Sequence, residues 1–199
     1  MGSQGNTALT LDDFLALCEA APEGVRYEAV GGRAVMMSAP TGPHQRAVGR
    51  LAGVLAQAAR GDEVVLQAPF DWVLWEVPFL TIRQPDLVVV TFEQSELDRL
   101  TTPPLLVVEA LSPTTRRVDA RDKRAEYARA GAAHYWLVDV QVPSVEALVL
   151  DPATGTYAMA ASAEGDAVLS VTEPFPVSVA PADLVRKGGG PWDRRATRR

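Results

Sequence analysis

The chain has 199 residues, 47% of them apolar and 22% charged, with a formal net charge of −6. That length suits one domain with a proper core and is short for two, and no apolar run reaches the roughly 18 residues that a membrane span needs. The single cysteine, Cys18, excludes an internal disulfide and a thiolate metal cluster, and it reads as a small buried hydrophobe in a cytoplasmic setting.

Charge is unevenly spread. Residues 186–199 hold six basic residues and one acid, a balance of +5, which leaves −11 on residues 1–185 out of the total of −6. An acidic body repels phosphate backbones at long range, so a nucleic acid has to be met by a local basic cleft, the tail or a dimer surface. The 19 basic residues are 17 Arg and only two Lys, Lys123 and Lys187. Where arginine is used almost everywhere, an internal lysine asks for a reason. Its ammonium is a compact charge with a movable pKa, which suits a catalytic site; the plain alternative is a helix-surface residue.

In chain order, residues 1–9 read as a disordered leader, without the basic start and apolar stretch of a signal peptide. Thr10-Leu-Asp-Asp13 resembles a capping box with Asp in place of Glu or Gln. Apolar positions Leu11, Phe14, Leu15 and Cys18 continue it as a helix, which Pro22 and Gly24 end. Gly31-Gly32 marks a hairpin turn between two short strands within residues 26–37. Residues 38–43 are a loop and residues 44–60 a helix. Residues 64–75 are rich in strand, with Trp72 and Trp75 either core on one face or part of a dimer surface. Residues 76–84 are a connection.

Pro85 then introduces a strand of the buried type over residues 86–91 (DLVVVT). A loop or short helix follows over 92–103, then a second buried strand over 105–110, which Ser112-Pro113 breaks. Residues 119–130 form a helix that stops at Gly131. Strands follow over 135–139, 145–150, 156–161 and 167–171, then a short helix over 181–185 and a basic flexible tail over 186–199. This order predicts an α/β (α+β) fold, a central mixed β-sheet flanked by helices, as a single domain over residues 10–185.

Two of these buried strands each carry one carboxylate, Asp86 opening its strand and Glu109 near the end of its own. A carboxylate among valines and leucines is costly unless paired or bound to a cation, and two on neighbouring strands repel unless a cation lies between them. Mg²⁺ suits that arrangement, since it takes one or two carboxylates and fills its other positions with water and phosphate. The bland alternative is that both residues lie solvated at strand ends. On the next helix, Asp119, Lys123 and Tyr127 are spaced i, i+4, i+8 and share a face. That face can bring an ammonium beside the carboxylates, or it can hold a surface Asp119–Lys123 ion pair of little worth, with Tyr127 a core residue whose hydroxyl reaches the rim.

Five segments, in this order, carry a resemblance: Arg26-Tyr-Glu-Ala-Val-Gly-Gly-Arg33, Pro85-Asp-Leu-Val-Val-Val90, Val107-Val-Glu-Ala-Leu-Ser-Pro113, Asp119-x-x-x-Lys-x-x-x-Tyr127 and Gly131-Ala-Ala-His-Tyr-Trp-Leu-Val-Asp139. Together they resemble the Uma2 family of restriction-endonuclease-like proteins (DUF820), within the PD-(D/E)xK nuclease superfamily, over residues 10–185. The resemblance implies a restriction-endonuclease-like sheet and a metal-dependent endonuclease. It also implies that Asp86 and Glu109 are catalytic metal ligands for Mg²⁺ or Mn²⁺.

The superfamily's usual lysine two residues after Glu109 is absent, since Leu111 stands there; the resemblance moves that role to Lys123. It makes Glu28 an extra catalytic acid, against the alternative of a hairpin carboxylate facing solvent. It makes His44, with Tyr127, a contact to phosphate or water, against that of a helix-start residue without a catalytic role. His134 and Asp139 read as structural. The implied reaction is hydrolysis of phosphodiester bonds in DNA, with Lys123 stabilising developing negative charge, by a homodimer. Two rivals stand beside it: a catalytically silent DNA- or protein-binding regulator on the same fold, and an RNA- or structure-specific nuclease. Phosphate-loop, zinc-finger and nucleophile-elbow patterns are absent.

Overall fold

The computed structural model describes residues 8–111 and 118–187, and the side chains of 118–120 are left aside. Residues 1–7 of the expected leader, the break at Ser112-Pro113, the side chain of Asp119 and the tail from Gly188 lie outside what is described.

Helix α1 (Leu11–Glu19) opens on the expected capping box. The Asp13 amide donates to Thr10 Oγ1 and the Thr10 amide to Asp13 Oδ2, satisfying two otherwise orphaned donors. Strands β1 (Tyr27–Val30) and β2 (Arg33–Met36) form the hairpin at Gly31-Gly32. Gly32 sits at φ +77°, and a Cβ there would lie 2.7 Å from Ala8 Cβ, so both backbone and space require glycine. Helix α2 (Gly42–Ala58) is capped by Thr41. Then come β3 (Glu63–Gln67), β4 (Trp72–Trp75), β5 (Thr81–Arg83) and β6 (Leu87–Thr91). The short α3 (Phe92–Ser95) leads to β7 (Leu106–Leu111). A π-helical turn (Val118–Lys123) runs into α4 (Arg124–Arg129). Strands β8 (His134–Asp139), β9 (Ser144–Asp151), β10 (Thr156–Glu164), β11 (Leu169–Val171) and β12 (Val177–Val179) and helix α5 (Pro181–Val185) complete the chain.

The strands form a six-stranded sheet in the order β10-β9-β8-β7-β6-β3, a four-stranded sheet β2-β1-β5-β4, and the ribbon β11-β12. Only β7 and β8 pair in parallel within the large sheet, with the π-helical turn and α4 between them in sequence, so the sheet is mixed. Leu87, Val89, Leu106, Val108 and Ala110 face α2 and α5 on one side, while Val88, Val90, Val107 and Leu111 face Tyr127 of α4 on the other. A third cluster of Phe14, Ala29, Val73, Leu80 and Ile82 joins α1 to the four-stranded sheet.

Four expectations are corrected. The strand-rich stretch 64–75 is two strands belonging to different sheets. The connection 76–84 contains β5, whose three residues are all buried. Asp86 does not open its strand but stands just before it, at Leu87. The helix expected from residue 119 begins as a π-helical turn and becomes α-helical only at Arg124, so the i, i+4 spacing of Lys123 and Tyr127 falls at a change of helix type. Trp72 is buried and stacks on Tyr127 at 5.4 Å between ring centroids, while Trp75 lies under the Arg129 guanidinium at 4.3 Å.

Candidate active site

The site lies where β6 begins and β7 ends. Leu87 stands opposite Val108, and one step further along the pair are Asp86 and Glu109. By strand alternation Glu109 shares the α4 face with Val107 and Leu111. Asp86, outside the ladder, is held on the strand end: its Oδ2 accepts from the Ala110 amide at 2.8 Å and lies 3.1 Å from His44 Nε2. His44 is placed by the Thr41 cap, which accepts from its amide. Asp86 and His44 line a cavity of about 530 Å³ that is also bounded by Arg26, Gln45 and Gln67. Both hydrogen bonds to the Asp86 carboxylate among the described residues fall on Oδ2, and the Ala68 amide donates to its backbone carbonyl.

Behind the strand end is a buried polar network. Lys123 Nζ donates to Glu109 Oε1 at 2.9 Å, and the Tyr127 hydroxyl donates to the same oxygen at 2.6 Å. Lys123 Nζ is 3.7 Å from Glu28 Oε1. Glu28 is 2% exposed, Glu109 3% and Lys123 4%. A solvent-facing hairpin carboxylate at Glu28 and a surface lysine at 123 are thereby overturned, because buried charges persist only when paired or hydrogen-bonded. Tyr127, expected as a substrate contact, is fully buried; what it does directly is hold the Glu109 carboxylate. Burial, and then the charges of Glu109 and Glu28, hold its hydroxyl well above the usual tyrosine pKa, so it stays a donor.

Arg83, on β5, was missed in the sequence. Its Nη1 donates to Glu28 Oε2 at 2.8 Å, and its Nε and Nη2 donate to Glu126 at 2.7 and 3.0 Å. Burial alone would lower its pKa, but the hydrogen bond to Glu126 and the charges of Glu28 and Glu126 more than reverse that, and the guanidinium is held charged. The available signal was an arginine directly after Ile82 in an otherwise apolar, threonine-containing run (Phe79-Leu-Thr-Ile82).

The structure therefore brings Glu28, Glu109, Lys123 and Tyr127 together, and separately joins Asp86 to His44. The link between the two groups is β7 itself, through the Ala110 amide. Among the described residues no three His, Cys, Asp or Glu side chains are grouped to hold a metal ion. Among the described residues three carboxylates (Glu28, Glu109, Glu126) meet two cations (Arg83, Lys123) in the network, an excess of one negative charge, and Asp86 adds a further carboxylate beside His44. Hard oxygen donors with that excess fit one divalent cation that keeps most of its waters.

The Uma2 family model, described as "Putative restriction endonuclease", matches residues 11–184. The chain belongs to this family. Such membership supports a nuclease, a hydrolase acting on nucleic acid, and restriction-endonuclease-like families generally use divalent metals. Among solved structures the Uma2 chain is similar to a crystal structure from Anabaena variabilis, titled as "a putative nuclease belonging to DUF820". The TM-score is 0.67 at 16% identity, covering 89% of this chain and 97% of that one, a likeness of fold. No curated protein matches the sequence. No helix among the described residues is long and apolar enough to cross a membrane.

Proposed function

We propose that this Uma2 protein is a divalent-metal-dependent endonuclease that hydrolyses phosphodiester bonds of DNA in the cytoplasm, acting as a homodimer with one site for each strand. The observation that carries the reading is the Ala110 amide bond to Asp86. It fixes one carboxylate at the strand end beside the residue that precedes Ala110, Glu109, whose own carboxylate is held by Lys123.

Asp86 and Glu109 would hold Mg²⁺ or Mn²⁺, which when bound supplies a Lewis acid for phosphate and a more acidic water. Lys123 offsets the charge of Glu109 in the resting site and places a cation where negative charge develops in the reaction. Tyr127 and Lys123, bonded to the same oxygen, fix the orientation of Glu109. Glu28 balances Lys123 from the other side and is itself anchored by Arg83 and by the Gln84 amide at 3.0 Å. His44 holds Asp86 and lies on the open cavity, where a phosphate or water can meet its ring.

A second reading, a catalytically silent DNA- or protein-binding regulator, is favoured by the acidic body and by a Glu109 that does not line the cavity. Incubation of supercoiled plasmid and of RNA with the purified protein in Mg²⁺ or Mn²⁺ separates the two. The nuclease reading expects metal-dependent nicking or linearisation of DNA, lost in chelator and reduced on the order of a hundredfold or more in Lys123→Ala. No cleavage with either metal, or cleavage unchanged in Lys123→Ala, sinks it.

A further inference from the structure

Excess acid is the main physical objection to a nucleic-acid substrate, and one stretch of chain answers it. None of the 25 Asp and Glu residues lies within residues 29–61, which carry Arg33, Arg46, Arg50 and Arg60. That stretch builds the wholly exposed strand β2, the rim of the Asp86–His44 cavity and all of α2. Helix α2 turns Ala47, Leu51, Ala52 and Leu55 into the core. Its outer side carries Arg46, Gly49, Arg50 and Gly53, which line a second cavity of about 490 Å³ against β12 and α5. Gln45 lines both cavities, so the groove runs on from the catalytic cavity along the helix.

The cations along this path are available to different degrees. Arg26, in the first cavity, and Arg46, exposed on α2, make no side-chain hydrogen bond or ion pair among the described residues. Arg50 uses only Nη1, which donates to the carbonyls of Asp183, Leu184 and Arg186 at the end of α5. Arg186 is already paired with Asp166 and Asp183, so it contributes least. Between the arginines, a Cβ at Gly49 or Gly53 would meet nothing within 4 Å, so a phosphate can approach bare backbone there.

We infer that Arg26 at the catalytic cavity, together with the outer face of α2 from Arg46 to Arg50, is the docking surface for the sugar-phosphate backbone of duplex DNA. It leads the strand to Asp86 and His44. The stretch 29–61 is free of acids in a body of charge −11, and Asp183, the acid lining the second cavity, is paired with Arg186, so the attraction is local and strongly screened by salt. The inference rests on the nuclease reading for its substrate, and binding tests it without turnover.

The test is fluorescence anisotropy of a labelled duplex with full-length protein in Ca²⁺, repeated over a range of KCl. Arg46→Gln lowers the slope of log K against log salt by about one, as expected for one lost phosphate contact. The double variant Arg26→Glu/Arg46→Glu weakens binding by about tenfold or more at low salt. Arg129→Glu, on α4 across the sheet, changes neither. Thermal melting confirms that the substitutions at half-buried Arg26 and exposed Arg46 leave the fold intact.

Slopes and affinities equal to wild type in both Arg46 variants overturn the inference. So does an equal loss in Arg129→Glu, no duplex binding by the wild type, or single-stranded RNA outcompeting the duplex. Weakened binding in these variants without any cleavage in Mg²⁺ or Mn²⁺ sinks the catalytic reading and leaves the surface standing. Cleavage with unaltered Arg46→Gln binding sinks the surface alone.

Discussion

Among the described residues Glu109 draws its setting from its strand neighbours, which bury it, and from the Lys123 ammonium and Tyr127 hydroxyl, which converge on one of its oxygens. A buried carboxylate with two donors stays oriented without water, and this is the condition for a ligand held ready for a cation. Burial also raises the pKa of Tyr157, whose hydroxyl donates to the Ala132 carbonyl at 2.6 Å, with Arg124 opposing the shift. Tyr127 and Tyr157 thus both remain protonated in the fold above the pH at which a free tyrosine ionises. A raised folded pKa contributes stability that is whole below about pH 10 and is lost as pH rises beyond it. Stability measured by urea denaturation therefore falls above pH 10, and Tyr157→Phe flattens that fall; an unchanged alkaline slope in the variant contradicts the assignment. At this scale Lys123 was legible because it is one of only two lysines. Arg83 was not, because its partners Glu28 and Glu126 are 55 and 43 residues away in sequence and no local spacing reveals them.

The elements explain how those distant partners meet. Arg83 ties β5 to β1 through Glu28 and to α4 through Glu126, and α4 follows directly on Lys123 and carries Tyr127. Arg83→Met strips Glu126 of its hydrogen-bonded cation and leaves Glu28 only the Lys123 cation at 3.7 Å, and is expected to destabilise the protein by about 3–5 kcal/mol, read from the urea midpoint. A loss below about 1 kcal/mol, the level of a surface pair, contradicts a bridging role. On α2 the sign reverses. Gly49 and Gly53 occupy helix interior with open space at the Cβ position, so Ala at either raises stability by about 1 kcal/mol in the same measurement.

Which elements were readable follows from how local their causes are. The capping box of α1 and the Gly31-Gly32 hairpin depend on residues within three positions of one another, and both form. Strand β5 has three residues with an arginine among them, and its place is set by pairing with β1 and β4. The π-helical turn before α4 has no local sequence signature, yet it stands where Lys123 must reach Glu109.

For the whole molecule, the large sheet sets the geometry and the charge distribution sets the approach. The mixed six-stranded sheet puts Asp86 and Glu109 at one end of an antiparallel pair, with α2 on one face and α4 on the other. The helices deliver polar groups to that end, His44 from α2, Tyr127 from α4 and Lys123 from the turn into α4. The sequence shows the order of these elements but not that the second sheet stands apart, since β3 and β4 read as one stretch and the division depends on pairing far along the chain. The net charge argues against a nucleic-acid partner only while it is treated as uniform; the acid-free stretch over residues 29–61 puts Arg46 and Arg50 on a cavity that shares Gln45 with the Asp86–His44 cavity.

Anomalous diffraction from crystals soaked in Mn²⁺ decides whether Asp86 and Glu109 form a cation site. A cation site there gives an anomalous peak within coordination distance of Asp86 and Glu109, about 2.0–2.4 Å from their oxygens, that disappears in Asp86→Asn crystals. Well-diffracting soaked crystals with no peak there, or a peak that persists in Asp86→Asn, would contradict it.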